Sequence, residues 1–473
     1  MPELILAIDV GTTSVRAAVV GADGVIAGLA AAPLTSATPA PGRVEQDAAK
    51  VWSATRRVIA RALAAAGRTP GDIAAIGVTT QRASAVTWDR KTGRPLSPMV
   101  VWSDLRGAAR AGELLQAGFM LAPQQSATKL ESLVSGVEAP AARIAWGNID
   151  SYLIFRLTGG ATHAADRSQA WPSGYLSFPD LGWNHRLIDH QGLDAAMFPA
   201  LVNTWGPIGV TDPKVFGAAV PITADVADQQ SALIAHGEAP GTAKITFGTS
   251  ATFDLVTGTT FRFPGPSTPP LLVSSVAGDT RWCVEGMVLS AGSALDWLRA
   301  TFGLGGHAAF GAMAASVEDA GGAAFLPALQ GLGAPHGAPA RRGGLTGLTA
   351  AVKRAHVARA GLEGLAFRAR EVLDHVYALD DFDAPEAIGV DGGLTASPLF
   401  LQVLADLTGR LVRRHATPEA TLLGAAICAG RGASLLTETD IAAMTCYEPA
   451  IAPRIGGDES GARFAAWRAS VYG

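Results

Sequence analysis

The sequence contains little cysteine and little charge. Its 473 residues include three cysteines, Cys283, Cys428 and Cys446, whose spacing matches neither a metal-ligand pattern nor a disulfide framework. We therefore expect a reducing compartment, the cytoplasm. Charged residues make up 16% of the chain, the formal net charge is −4, and there is no long basic run. Nucleic acids and anionic membranes are therefore not expected as partners.

Long apolar segments are also missing. No stretch of the sequence approaches the roughly 18–20 apolar residues that span a bilayer, so we expect no membrane insertion. The chain begins Met1-Pro2-Glu3 without a basic region followed by a long apolar one, so we expect no secretory signal. Hydrophobic residues make up 48% of a chain that is long for one core. This combination predicts a globular protein with two large domains.

The first apolar run ends at a carboxylate and a turn of small residues. Leu4 to Ile8 predicts a buried strand that ends at Asp9, and Gly11-Thr12-Thr13-Ser14 then turns the chain into a second strand. The turn offers backbone N–H groups and hydroxyls, which suits phosphate oxygens. Asp9 is placed to hold a magnesium ion, directly or through water. From this segment alone, an ordinary Gly-Thr turn is as good an interpretation as a phosphate-binding turn.

The pattern returns in the second half of the chain. Residues 243–257 predict a strand, a Gly248-Thr249-Ser250 turn and another strand, and Ala387 to Asp391 predicts a strand that runs into Gly392-Gly393 and a helix. Such repetition suggests a duplicated domain. Each copy would contribute one nucleotide-binding loop to a shared cleft. We expect the two domains to comprise residues 1–237 and 238–473.

Two polar clusters follow apolar strands in the first half. Ile73 to Val78 predicts a strand that brings Gln81 and Arg82 to its carboxyl end, where ligands bind in open α/β sheets. Asp104 and Arg106 follow a second apolar run. Two interpretations stay open: the two side chains form a salt bridge at the surface, or they contact a polar substrate.

A third cluster, Asp228-Gln229-Gln230, lies between a predicted strand and a predicted helix. Asp228 would then lie near a helix N-terminus, where negative charge is stabilised. A simple helix cap is the alternative to a functional carboxylate.

Local patterns predict several further elements. A helix is expected from Asp47, as its cap, to about Ala66, and a second long helix from His356 to Leu373. Residues 86–88 and 99–102 are expected to extend the first sheet. The sequence after Gly430 is less patterned, and we expect it to cap the surface.

Several short motifs occur in a fixed order along nearly the whole chain. They are Asp9–Arg16, Val44–Asp47, Gln81–Arg82, Val101–Trp102, Ser126–Lys129, Asp228–Gln230, Gly248–Ser250, Gly331–Pro335, Arg342–Thr349, His356–Glu363 and Val390–Gly393. Each is weak alone, but the ordered set resembles the FGGY carbohydrate kinases, the group of glycerol kinase, xylulokinase and ribulokinase. The resemblance implies an α/β protein with two ribonuclease H-like domains, of the actin and hexokinase type, flanking a central cleft.

The resemblance also implies a role for each matching residue. Asp228 would be the catalytic base, and Asp9 and Asp228 would serve the magnesium ion that accompanies ATP. The sugar or polyol would contact Arg82, Trp102, Asp104 and Gln229. The ATP-binding residues would be Gly11, Thr12, Thr13, Arg16, Gly248, Thr249, Gly292, Gly392, Gly393 and Ser397.

Within the family, the motifs are most similar to those of glycerol kinases, but the substrate positions depart from them. Glycerol kinases have a glutamate where this chain has Ala83, and a substrate-contacting tyrosine where it has Gln124. Asp104, within a Trp-x-Asp-x-Arg motif similar to that of pentulose kinases, could replace the missing acceptor. Ser397 stands where glycerol kinase has an asparagine that contacts adenine.

The favoured hypothesis is an ATP-dependent kinase that phosphorylates a terminal hydroxyl of a small open-chain sugar or polyol. Authentic glycerol kinase with a rebuilt pocket is the second. From other classes, a non-catalytic actin-like ATP-binding regulator and an inactive sensing paralogue stay open, because one fold can host unrelated functions. A homodimer is compatible with each of these.

Overall fold

The structure is a computed structural model that describes residues 3–378 and 385–473. In chain order its strands are β1 (Leu4–Val10), β2 (Ser14–Gly21), β3 (Ile26–Pro33), β4 (Glu45–Gln46), β5 (Ile73–Thr80), β6 (Val86–Asp89), β7 (Met99–Val100), β8 (Ile144–Gly147), β9 (Ala164–Asp166), β10 (Ala200–Val202), β11 (Trp205–Val210), β12 (Pro221–Ala227), β13 (Ala243–Phe247), β14 (Ala251–Gly258), β15 (Pro270–Val276), β16 (Asp279–Val288), β17 (Ala324–Leu326), β18 (Gly344–Thr346), β19 (Ala387–Asp391) and β20 (Leu411–Arg414).

The α-helices in the same ranges are α1 (Ala48–Ala65), α2 (Ala108–Gln116), α3 (Leu130–Val134), α4 (Ile149–Leu157), α5 (Arg167–Ala170), α6 (His185–His190), α7 (Pro213–Phe216), α8 (Asp228–His236), α9 (Gly292–Phe302), α10 (His307–Ala315), α11 (Arg354–Tyr377), α12 (Pro398–Thr408), α13 (Ala420–Gly432), α14 (Glu438–Met444) and α15 (Gly457–Tyr472). Within the described part of the chain, none of them is long and apolar enough to cross a membrane.

The chain forms two compact units. Unit 1 comprises Met1–Ala235, Leu271–Arg281 and Glu419–Met444. Unit 2 comprises His236–Pro270, Trp282–Pro418 and Thr445–Gly473. Helices α13 and α14 therefore belong to unit 1, although they follow most of unit 2 in the sequence.

The central sheet of unit 1 has the strand order β11-β12-β5-β1-β2-β3. Strand β1 pairs antiparallel with β2 and parallel with β5, and β5 pairs parallel with β12. Every residue of β1 is buried, which explains its continuous apolar sequence, since a strand covered on both faces need not alternate. The predicted strand from Leu4 and its hairpin are therefore confirmed.

Unit 2 repeats this strand order. Its strands β16-β14-β13-β19-β20 are neighbours in that sequence. Strand β13 pairs antiparallel with β14 and parallel with β19, and β19 pairs parallel with β20. The series β3-β2-β1-β5-β12 of unit 1 has the same order and the same directions. The duplication predicted from the repeated strand–turn–strand pattern is thus present in the backbone.

Helix α1 forms where its cap and apolar stripe predict it. The side chain of Asp47 accepts hydrogen bonds from the backbone N–H groups of Ala49 at 2.9 Å and Lys50 at 3.1 Å. These bonds satisfy two of the donors that a helix N-terminus leaves open. The helix ends before Gly67, which has a left-handed φ of 64°.

Two local expectations are wrong. Strands β6 and β7 do not extend the central sheet, because β6 pairs with β8 and β7 pairs with β4 in separate two-stranded sheets. The region after Gly430 does not simply cap the surface, since Trp467 of α15 is buried in the core of unit 2. The indole nitrogen of Trp467 donates to the carbonyl of Phe325 at 3.1 Å.

Helix α13 packs so closely within unit 1 that two glycines are required. A Cβ atom on Gly77 of β5 would lie 2.3 Å from the carbonyl oxygen of Ala425. A Cβ atom on Gly424 would lie 1.7 Å from the carbonyl oxygen of Ser231, in the helix that begins at Asp228. Neither carbonyl oxygen can move away unless the backbone of its helix shifts.

Gly424→Ala is therefore expected to lower the free energy of unfolding by roughly 1–3 kcal/mol or more, the usual cost of overpacking. Gly112→Ala in α2 is the matched control, because no atom lies within 4 Å of its Cβ position. Alanine is the better helix former, so the control should be neutral or stabilising. Thermal unfolding of both variants measures the difference. Equal stabilities would contradict the close packing of α13.

Candidate active site

Three neighbouring parallel strands of unit 1 end together. Val10 at the end of β1 lies opposite Thr80 of β5, and Thr80 lies opposite Ala227 of β12. Strands in a sheet lie about 4.8 Å apart, so the ends of β1 and β12 are about 10 Å from each other. Asp9, Arg82 and Asp228 therefore occupy one edge of one sheet, where ligands bind in open α/β folds.

Asp9 and Arg16 form an ion pair at this edge. The two residues lie opposite each other on β1 and β2. Both Nε, at 2.9 Å, and Nη2 of Arg16 donate to Oδ2 of Asp9. Burial raises the pKa of Asp9, and the charge of Arg16 acts against this rise. Oδ1 of Asp9 is buried and has no hydrogen-bond partner among the described residues.

The first turn is fixed by two glutamines and a tryptophan. The hydroxyl of Thr12 donates to Oε1 of Gln81 at 2.9 Å and accepts from the indole N–H of Trp102 at 3.0 Å. The side-chain amide of Gln46 donates to the carbonyl of Thr12 at 2.6 Å. Gly11 donates its N–H to the carbonyl of Ser14 at 3.0 Å. This network holds the turn in one geometry and leaves Thr13 exposed.

Asp228 is the first residue of α8. Its Oδ1 accepts the backbone N–H of Gln229 at 2.8 Å and lies 3.6 Å from Nε of Arg82. The side chains of Arg82 and Asp228 are 13% and 23% exposed. A carboxylate that is partly open to solvent and adjacent to a guanidinium can receive a proton from a bound hydroxyl.

Asp104 is not at the surface. Its side chain is fully buried and accepts from Nε of Arg106 at 2.9 Å and from the backbone N–H of Val44 at 2.6 Å. Burial acts to raise the pKa of Asp104, but the hydrogen bonds from Arg106 and Val44 outweigh it and lower the pKa. Arg106 also contacts Glu45 at 2.6 Å. The pair is thus a buried ion pair that fixes the backbone beside Trp102.

Lys129 holds the backbone of the same region. Its buried ammonium group donates to the carbonyls of Val101 and Trp102, each at 3.2 Å, and of Gln124 at 2.8 Å. Burial lowers the pKa of Lys129 to about 8. All three of its donors have acceptors, so this lysine positions the segments that carry Trp102 and Gln124.

The turns of unit 2 are brought together by backbone contacts. Gly248 accepts the N–H of Gly292 at 3.0 Å, and Thr249 accepts that of Ala291 at 3.0 Å. A Cβ on Gly292 would lie 2.6 Å from the carbonyl oxygen of Gly248. Gly392 has a φ of 90°, and a Cβ atom on it would lie 2.5 Å from the carbonyl oxygen of Phe247. Only glycine allows these approaches.

Gly393 follows and is exposed, whereas Ser397 caps α12. The hydroxyl of Ser397 accepts the N–H of Phe400 at 3.2 Å. Backbone contacts therefore join Gly248, Thr249, Gly292 and Gly392 into one cluster. Ser397 makes a separate helix-capping contact.

Comparison with known proteins agrees with these motifs. Residues 4–235 match the N-terminal domain of the FGGY family of carbohydrate kinases, and residues 243–433 match its C-terminal domain. The chain belongs to the FGGY family of carbohydrate kinases. The resemblance stated from sequence is thereby confirmed, and the chain is a phosphotransferase that uses an alcohol group as acceptor.

Curated relatives match this chain over nearly the full length. A glycerol kinase of Xanthobacter autotrophicus is 38% identical, with 100% of this chain and 99% of the relative covered. A glycerol kinase of Rhodospirillum centenum is 39% identical, covering 91% of this chain and 90% of the relative.

Two solved kinase structures share the fold. Plasmodium falciparum glycerol kinase with ADP has a TM-score of 0.90 at 23% identity, covering 99% of this chain and 97% of the other. Rhodospirillum rubrum xylulose kinase has a TM-score of 0.83 at 25% identity, covering 99% and 98%. The predicted α/β fold with two domains of the actin and hexokinase type is confirmed.

The residues present fit the magnesium ion that FGGY kinases imply. Among residues 3–378 and 385–473, no group of three or more His, Cys, Asp or Glu side chains is placed to hold a metal. Magnesium does not require such a group, because it often uses one or two carboxylates together with substrate phosphates and water. The unpartnered Oδ1 of Asp9 is a donor of this kind.

Sequence reasoning did not find every residue of this site. Glu419 contacts Arg16 at 2.8 Å, and Lys129 and Gln46 fix the surrounding backbone. Gln46 and Lys129 lie in motifs that carry the family resemblance. No local pattern indicates Glu419, because 403 residues separate it from Arg16.

Proposed function

We propose that this carbohydrate kinase transfers the γ-phosphate of ATP to a terminal hydroxyl of a small open-chain sugar or polyol other than glycerol. The observation that carries the proposal is the shared sheet edge in unit 1, where Asp9, Arg82 and Asp228 follow three neighbouring strands. In the reaction, the substrate oxygen bonds to the γ-phosphorus while the bond to the β,γ-bridging oxygen breaks, and ADP leaves.

Asp228 would serve as general base. Its carboxylate would take the proton of the attacking hydroxyl, and Arg82, 3.6 Å away, would orient both the carboxylate and the substrate. Phosphoryl transfer depends mainly on alignment and neutralisation of charge. Arg16 and the N–H groups of Thr12 and Thr13 would supply positive potential to the phosphates. Gly11, whose N–H donates to Ser14, would hold the turn that presents them.

Asp9, through its free Oδ1, and Asp228 would hold the magnesium ion. When bound, the ion would neutralise phosphate charge. In unit 2, Gly248, Thr249, Gly292, Gly392 and Gly393 would bind the nucleotide, and Ser397 would lie at the adenosine position.

The substrate proposal rests on Ala83 and Gln124. Ala83 carries no acceptor at a position where glycerol kinases have a glutamate, and its backbone has a φ of 54°. Non-glycine residues in this region are uncommon and occur often at functional sites. Gln124 is exposed. A pocket without both hydroxyl-binding groups should favour a longer substrate. We propose that Trp102 and Gln229 contact it, with Asp104 acting through Arg106 and Val44.

Glycerol is the second candidate substrate. The relatives that match this chain at 38% and 39% identity are both named glycerol kinases. A coupled ADP-release assay across glycerol, erythritol, D- and L-ribulose, xylulose and fuculose separates the two candidates. We expect the highest kcat/KM on a substrate of four or more carbons. Turnover of glycerol alone would show that the interpretation of Ala83 and Gln124 is wrong.

The double substitution Ala83→Glu with Gln124→Tyr is expected to raise kcat/KM for glycerol relative to the preferred sugar by about 10-fold or more. One restored hydrogen bond to a substrate hydroxyl is worth roughly this factor. Glutamate adds no backbone strain, because alanine already has a Cβ in the left-handed region. Ala122→Glu, at an exposed position, is the charge-matched control. An unchanged ratio in the double variant would contradict the pocket assignment.

Other features remain proposals. A cytoplasmic location is one of them, because the chain has only three cysteines without the spacing of a disulfide framework. The domain boundary between residues 237 and 238 and a homodimeric assembly are also proposed.

A further inference from the structure

Arg16 contacts a second carboxylate besides Asp9. Its Nη1 donates to Oε2 of Glu419 at 2.8 Å. The guanidinium therefore lies between two carboxylates of unit 1, one from β1 and one from the residue before α13. Asp9 is nearly fully buried, and Glu419 is 18% exposed.

The position of Glu419 is fixed by the packing of α13. The hydroxyl of Ser231 donates to the carbonyl of Thr421 at 2.7 Å, and that of Thr223 donates to the carbonyl of Ala429 at 2.8 Å. Gly424 lies against the backbone of α8 without room for a Cβ. A residue at the start of such a helix presents its side chain from a fixed point.

The pairing of Arg16 with Asp9 is unusual in its geometry. Arginine and carboxylate often pair through two parallel hydrogen bonds, one to each carboxylate oxygen. Here Nε and Nη2 both donate to Oδ2, while Nη1 donates to Glu419. Oδ1 of Asp9 has no partner among the described residues. Engagement of Nη1 by Glu419 holds the guanidinium in the rotation that leaves Oδ1 open.

We propose that Glu419 is a positioning residue that keeps Oδ1 of Asp9 available to the magnesium–nucleotide complex by holding Arg16 away from two-oxygen pairing. The inference rests on the proposed function, because it assigns a purpose to the open oxygen. Without the contact from Glu419, Arg16 would rotate to occupy both oxygens of Asp9, and magnesium would have to displace it.

Two substitutions separate the effect of the side-chain length of Glu419 from the effect of its charge. Glu419→Gln retains an oxygen acceptor at the same distance and loses the charge. Glu419→Asp retains the charge, but its side chain is shorter by one C–C bond, about 1.5 Å. Glu438→Asp in α14 is the matched control, because Glu438 pairs with Arg431 at 3.1 Å and is 81% exposed.

The experiment measures ADP binding to the full-length protein by calorimetry, once with MgCl₂ and once with EDTA. The readout is the dissociation constant in EDTA divided by that in MgCl₂, which reports how much magnesium strengthens ADP binding. Glu419→Asp is expected to reduce this ratio by about 10-fold, the usual cost of losing an outer-shell partner of a metal ligand. Glu419→Gln and Glu438→Asp should stay within about twofold of the parent.

Three outcomes would overturn the inference. An unchanged ratio in Glu419→Asp, or an equal loss in Glu419→Gln, would show that Glu419 does not act by contacting Arg16 at its full side-chain length. A parent protein that binds no ADP in either buffer would remove the proposed function, and the inference with it. Thermal unfolding of each variant confirms that its binding is measured on folded protein.

Discussion

Asp228→Asn is expected to lower kcat by roughly 10²–10⁴-fold, the usual loss when a positioned general base is removed. Asparagine has nearly the same shape as aspartate, so Oδ1 can still accept the N–H of Gln229, which lies 2.8 Å away in the parent. Its amide cannot take a proton from the substrate hydroxyl. The proposed nucleotide contacts come from other residues, so ADP affinity measured without magnesium, in EDTA, should change little.

Steady-state kinetics on the best substrate of the ADP-release assay measure this effect. Asp212→Asn is the matched control. Asp212 caps α7 by accepting the N–H of Lys214 at 2.8 Å, and asparagine caps helices as well as aspartate does. Its kcat should equal that of the parent. Parent-like turnover in Asp228→Asn would exclude Asp228 as the base, and a parallel loss of ADP affinity would assign it to nucleotide binding instead.

The parts of the site that are local in sequence could be predicted from it. The apolar run of β1, its terminal Asp9 and the small residues after it specify a strand and turn by themselves, and Asp47 specifies the start of α1. Hydrophobic periodicity and capping depend on residues close in the chain. The structure confirms both elements.

Contacts between distant segments could not be predicted in this way. The sequence around Glu419 gives no sign that α13 packs on β1, or that Trp467 enters the core of unit 2. Strand β6 has the pattern of a central strand but pairs with β8. A short apolar strand satisfies its hydrogen bonds with any partner of suitable register, so the pattern does not select one. That the turns after Asp9 and Phe247 face each other stays a prediction.

Buried carboxylates are a second feature without a local signal. Asp150 of α4, Asp166 of β9 and Asp225 of β12 are all fully buried in unit 1. Asp166 accepts the N–H of Gln169 at 2.9 Å, and its own N–H donates to Asp225 at 2.9 Å. Oδ1 of Asp150 and Oδ1 of Asp225 are both buried and have no hydrogen-bond partner among the described residues. Only the fold brings these three side chains together.

Burial favours the protonated form of the carboxyl groups in this cluster. Burial raises the pKa of Asp150 to about 7. Burial, followed by the neighbouring charges of Asp150 and Asp166, raises the pKa of Asp225 well above its usual value. Neighbouring carboxyl groups that are buried together disfavour each other's ionised form.

The raised pKa of Asp150 makes stability fall as pH rises. In the unfolded chain this group ionises near pH 4, whereas in the folded protein it keeps its proton until about pH 7. The folded state therefore binds more protons between these values. Its contribution is fully present below pH 4 and is lost as pH rises through 7, at roughly 1.4 kcal/mol per pH unit.

Asp150→Asn is therefore expected to gain stability over the parent as pH increases. Its neutral amide resembles the protonated acid and does not ionise at any pH of the experiment. The difference in melting temperature, variant minus parent, should rise from pH 4 to pH 7 and level off above it. Asp279→Asn, at a side chain that is 56% exposed, is the control for the loss of one negative charge. Calorimetry from pH 4.5 to 8 gives both differences. A pH-independent difference for Asp150→Asn would mean that Asp150 is ionised in the folded protein throughout this pH range.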